Sequence, residues 1–200
     1  MRNNIQRESI RDEILDATDR LLARFGYKKM TIDDLAQEVG IGKGTVYLHF
    51  SSKEEIALSH IDRIIERMKV RLKEISSADV SPDERLREML LTRVLFRFDS
   101  VQHYTQSLND LLADLRPRLL ARRRRYFEDE AQIFAEVLQE GEKILIFSVP
   151  DALKTAETLL LATNSLLPYS LNTKELGERS EIEERVRRLA DLLLTGLLRR

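Results

Sequence analysis

The chain has 200 residues, 42% of them hydrophobic and 34% charged, with 33 Lys/Arg against 34 Asp/Glu. That composition is globular and long enough for one domain or two small ones. The absence of cysteine removes disulfides, thiolate nucleophiles and cysteine-based zinc sites, and a net charge of −1 removes any whole-chain attraction to nucleic acid.

The N-terminus, MRNNIQRESIRDEI, is too polar for a signal peptide, and no apolar run reaches the 18 residues a spanning helix needs. The expectation is a cytoplasmic protein without a membrane partner. Seven glycines and four prolines, in a chain dominated by Leu, Ile, Glu and Arg, predict an all-α fold.

Ile10, Ile14, Ala17, Leu21 and Phe25 recur at steps of three and four, a stripe that predicts a first helix ending at Gly26. Thr31 precedes Ile32, Leu35, Ala36 and Val39 and is placed to cap a second helix, which Gly40 ends. A third helix is predicted from about Gly42 to His49 or Phe50. Ser51 or Ser52 then caps a long fourth, whose apolar face runs from Ile56 through Ile65 and Met68 to Leu72. Ser76 to Pro82 is the first marked break. Beyond it helical spacing covers Leu86–Phe98, Tyr104–Leu115, Leu119–Leu138, Leu153–Leu167 and Ile182–Leu198, with Pro117 separating the second from the third of these. Ile144–Val149 (ILIFSV) has strand-like composition without an obvious partner strand and is expected to be a buried connection.

The stretch 40–55, GIGKGTVYLHFSSKEE, carries the chemistry. As a phosphate-binding loop it fails twice: the first glycine should stand where Gln37 is, and the hydroxyl where Gly44 is. As helix, tight turn, helix over residues 31–50 it fits, with Gly40 supplying a left-handed turn and the second helix free to enter a DNA major groove. Gly44 lets backbone approach closely, Lys43 brings charge, Thr45 a hydroxyl and methyl, and Tyr47 a phenol that can donate to phosphate. Residues 1–53 hold nine Lys/Arg against eight Asp/Glu, so placement rather than bulk charge carries the case. Val46 and Phe50 are expected in the core.

Residues 8–68 resemble the DNA-binding domain of the tetracycline-repressor (TetR) family of bacterial regulators. FG, a basic pair, T-x-x-x-[LI]-A, VG, T-[VL]-Y-x-[HY]-F and K-[ED]-[ED]-[IL] all stand at that family's spacings within FGYKKMTIDDLAQEVGIGKGTVYLHFSSKEEI. The resemblance implies that Thr31, Tyr47, His49 and Lys53 contact phosphates and that Lys43, Gly44 and Thr45 face the groove. It also implies an N-terminal three-helix helix-turn-helix domain (8–68). A long helix would join this to a ligand-binding and dimerisation domain (76–200), about nine helices in all.

Those expectations name partners: palindromic double-stranded operator DNA, a small hydrophobic or amphipathic effector, and a second copy of the chain. The effector pocket is assigned to Arg93, Phe96, His103, Tyr104, Leu108, Leu112, Phe127 and Phe134. The homodimer interface is assigned to Leu153, Ala156, Leu160 and Leu167 with Ile182, Val186, Leu189, Leu193 and Leu197, a spacing that an intramolecular core would share. Arg122–Arg125 point around most of a helix and read as a solvated face. His49, His60 and His103 lack metal-ligand spacing and no nucleophile motif occurs, so neither metal, cofactor nor enzyme activity is expected. The expected activity is that of a repressor. An activator of the same fold, or a helical dimerisation protein without DNA binding, are the other readings.

Overall fold

The computed structural model describes the backbone of residues 2–102, 108–167 and 177–198, and side chains at 7–102, 115, 117–167 and 177–198. Its elements are α1 (Arg2–Lys29), α2 (Ile32–Val39), α3 (Lys43–His49), α4 (Lys53–Ser76), α5 (Pro82–Val101), α6 (Leu108–Lys143), α7 (Ala152–Thr163), a single 3₁₀ turn (Asn164–Leu166) and α8 (Arg179–Thr195). The fold is all-α, with eight α-helices among the described residues where about nine were expected.

The difference lies at Pro117, which α6 passes through. Proline removes one amide donor and frees one carbonyl. Pro117 itself is exposed and the helix continues through it.

Two compact units divide the chain, one of residues 1–64 with 103–119 and the other of residues 65–102 with 120–200. In the first, Ile14, Ala17, Leu21, Leu35, Val46 and Ile56 are almost fully buried. Phe25 departs from its predicted stripe: it is 41% exposed under the Arg24 guanidinium, and Leu22, Tyr27 and Met30 are buried instead. The chain leaves helical geometry at Gly26 (φ 77°), which redirects the residues that follow. Arg63 pairs with Asp16 at 2.8 Å and His60 lies 3.4 Å from Asp19, tying α4 to α1.

In the second unit Met68, Leu72, Leu86, Met89, Phe134, Leu138, Phe147 and Leu160 belong to one core. The ILIFSV connection is half inside it. Ile144 and Leu145 are exposed, while Phe147 and Val149 are buried and Ser148 N–H donates to the Leu197 carbonyl at 2.9 Å. Gly141 makes this possible, because a Cβ there would stand 2.3 Å from the Phe147 ring.

Through that unit runs a buried polar network. Arg93 donates to Glu130 (2.8 Å), the Thr163 hydroxyl (2.7 Å), the Asn164 side-chain oxygen (2.8 Å) and the Leu160 carbonyl (3.2 Å), and Arg97 donates to Glu130 and to the Arg93 carbonyl. Burial alone would raise the Glu130 carboxyl, but Arg97 and Arg93 overcome it and hold it below the usual carboxylate range.

Several assigned positions are therefore corrected. Ala156, Leu160, Leu167, Ile182 and Val186 are 0–2% exposed within a single chain, so they are core and unavailable to a partner. Leu189, Leu193 and Leu197 are half-buried, and Leu153 is 42% exposed. Periodicity marks an apolar stripe without saying what covers it, and here α5 packs against both α7 and α8. Phe134 is likewise core and Arg93 is committed to the network, whereas Phe96 and Phe127 are partly exposed at the core's edge. His103 and Tyr104, and the side chains of Leu108 and Leu112, lie outside the described residues. Arg123–Arg125 are exposed, with Arg124 paired to Glu128 at 2.9 Å.

Candidate nucleic-acid interface

The interface starts from two local signals. Thr31 caps α2: its hydroxyl oxygen accepts from Asp34 N–H (3.1 Å) while the Asp34 carboxylate accepts from Thr31 N–H (2.9 Å) and hydroxyl (2.7 Å). Those bonds hold the Asp34 carboxyl below its ordinary value. A reciprocal cap of this kind is worth about 1 kcal/mol. At the other end Gly40 adopts φ 75°, and its N–H and that of Ile41 close back on Gln37 and Ala36. The left-handed residue turns the chain sharply enough to start α3 three residues later.

Helix α3 is held by what it buries. Val46 is 0% and Phe50 3% exposed, as expected. Arg11 reinforces the far end, lying 4.3 Å over the Phe50 ring while donating to the His49 carbonyl (3.3 Å) and the Ser59 hydroxyl (3.2 Å). Lys43, Gly44, Tyr47 and Leu48 are left facing outward. At 100° per residue these four occupy one face about 140° wide.

Of the residues predicted to touch DNA, Lys43, Gly44 and Tyr47 stand together on that face. Thr45 and His49 flank it half-buried, and Thr31 is exposed at the start of α2. Lys43 Nζ lies 2.7 Å from Asp33, and that hydrogen bond raises its pKa. The His49 imidazole is pushed down, first by burial and then by Arg7 and Arg11, so at neutral pH it offers hydrogen bonds rather than charge.

Lys53 is placed differently from expectation. Its ammonium turns to the C-terminal end of α1, donating to the carbonyls of Tyr27 (3.1 Å) and Met30 (3.2 Å) and lying 4.6 Å over the Tyr27 ring. Lys53→Ala should thus lower the unfolding free energy by about 1.5–3 kcal/mol, as loss of charged hydrogen bonds does. Urea denaturation checks this, and an unchanged midpoint would leave Lys53 free for phosphate alone.

Two contributors escaped the sequence reading. Leu48 is 71% exposed at the edge of the face, and its position two residues from Val46 already places it opposite the core. Arg11 has no local signal, since its partner His49 is 38 residues away.

The second unit contains an open cleft of about 520 Å³ lined by Ser76, Asp79, Arg85, Glu136 and Glu140, none of them assigned to the effector pocket. Arg85 fills part of it, donating to Glu140 (2.9 Å) and the Ser76 carbonyl (2.7 Å). Among the described residues no group of His, Asp and Glu converges as a metal site, and no helix is long and apolar enough to cross a membrane.

Comparison with known proteins agrees with this geometry. Residues 14–59 match the family model described as bacterial regulatory proteins, tetR family. An uncharacterised HTH-type transcriptional regulator in the lacX 3′ region of Lactococcus lactis is 40% identical over 81 residues, which is 40% of this chain and 41% of that protein. The HTH-type transcriptional repressor KstR2 of Mycobacterium tuberculosis is 27% identical over 141 residues, 68% of each chain. The match to the Lactococcus protein thus spans about two fifths of that relative's length. A solved TetR transcription regulator from Haloarcula marismortui superposes with a TM-score of 0.76 over 96% of this chain and all of its own, at 22% identity, and shows the shared fold. Residues 14–59 thus match the tetR family of bacterial regulatory proteins, and the chain shares the fold of the solved TetR structure.

Proposed function

We propose that the protein is a cytoplasmic, homodimeric repressor that residues 8–68 seat on a palindromic operator and that an apolar or amphipathic molecule releases by binding within residues 76–200. The observation that carries this is the outward face of α3, where a cation, a glycine and a phenol share one side of a helix anchored by Val46 and Phe50. The likeness to a protein named as a repressor supports the direction of control.

Two copies are required because half-sites lie about one DNA turn, roughly 34 Å, apart or a multiple of it. Leu153 and Leu161 on α7 and Leu192 on α8 are the exposed apolar residues that support a pairing surface there. An effector that prefers a conformer with the wrong half-site separation then lowers DNA affinity by linkage. Partly exposed Phe96 and Phe127 support an apolar ligand.

Selection of bound fragments from genomic DNA tests the reading. A palindromic winner is expected, with affinity falling steeply as salt rises. Retrieval of no enriched sequence would favour the structural reading instead.

A further inference from the structure

Gly44 lies inside a seven-residue helix, where glycine is the poorest ordinary helix former. The fold does not require it: a Cβ built at residue 44 meets no atom within 4 Å, and its backbone has no positive φ. Its cost to the helix is therefore not repaid inside the chain, and the open space is of use only to something outside. One helical turn on, Leu48 is 71% exposed on the same side of α3, more than 4 Å from where a Gly44 Cβ would stand. Open space at Gly44 and an exposed leucine one turn on thus lie on the same face as the Lys43 ammonium and the Tyr47 phenol.

In the DNA major groove the apolar group that a base edge presents is the 5-methyl of thymine. Resting on the DNA-binding reading above, we infer that the Gly44–Leu48 recess is a thymine-methyl subsite, and that Leu48 is a specificity-determining residue of this regulator. Gly44 admits the base edge and Leu48 covers the methyl. The Lys43 ammonium stands beside them on the same face.

The test uses the full chain and a duplex obtained by genomic selection, with each thymine replaced in turn by deoxyuridine, which removes the methyl alone. At one thymine per half-site, uracil should weaken binding by the wild type about fourfold, the equivalent of one methyl returned to water. Leu48→Ala should bind the thymine and uracil duplexes equally. Gly44→Ala should also lose the distinction while melting about 2 °C higher, since alanine favours the helix. That rise separates a blocked recess from a damaged fold. Wild-type binding indifferent to every uracil, or a thymine preference that survives Leu48→Ala, overturns the subsite alone. Failure to enrich any duplex overturns the DNA-binding reading itself.

Discussion

Glu130→Gln is expected to destabilise the protein by about 3–5 kcal/mol, lowering its melting temperature by roughly 10 °C, although the side chain keeps its shape. Glu130 is 1% exposed and accepts from two buried arginines that α5 contributes. Removing its charge leaves two guanidinium groups in a low-dielectric interior without the carboxylate that offsets their desolvation. The pH dependence follows in sign. The folded-state pKa lies below the ordinary value of 4.5, so this stabilisation is complete above that value and is lost as pH falls through the folded one. Acid titration of the wild type should show a steeper loss below about pH 4.5 than the variant shows. Equal slopes would mean that Glu130 is not the group that titrates, and an unchanged denaturation midpoint would remove the network from the account of stability.

Phe50→Ala should have the largest effect on DNA binding of any change outside the contact face. Its ring is 3% exposed where α3 meets α4, and truncating a buried phenylalanine costs about 3–5 kcal/mol. The loss falls on the anchor of α3 and also removes the surface on which Arg11 stacks. With α3 no longer fixed relative to α2, affinity for a selected duplex should drop about a thousandfold, toward that for arbitrary sequence. Fluorescence anisotropy measures the drop, and amide exchange over residues 31–50 should show loss of protection in the same variant. Full protection together with full affinity would show that α3 is held by other means.

These two residues also mark how far the sequence could be read. The neighbourhood of Phe50 was legible because its signals are local: a capping threonine, a glycine with positive φ and a hydroxyl before α4 each act within four residues. The Glu130 network was not legible, since Arg93 and Glu130 stand 37 positions apart and nothing in either helix's pattern points to the other. Five of the nine positions assigned to a partner-chain face are core for a related reason. Ala156, Leu160, Ile182 and Val186 have the right spacing to be buried, and spacing carries no label for the surface that buries them. Pro117 misled in the opposite sense, because a proline in a helical pattern can kink a helix as well as end it, and α6 passes through this one. Lys53 was read from its place at a helix start, while its ammonium reaches back to carbonyls at the C-terminal end of α1.

The short bridge between Lys43 and Asp33 has a kinetic consequence. If DNA docks on α3 as proposed, a phosphate approaching Lys43 must take the ammonium from a carboxylate 2.7 Å away and then sit beside that anion. On arbitrary DNA, where no base contact compensates, this penalty shortens each encounter. On the right sequence the remaining contacts absorb it. On the DNA-binding reading proposed above, this arrangement would trade some grip for a faster departure from wrong sites, and so for a faster search of the chromosome.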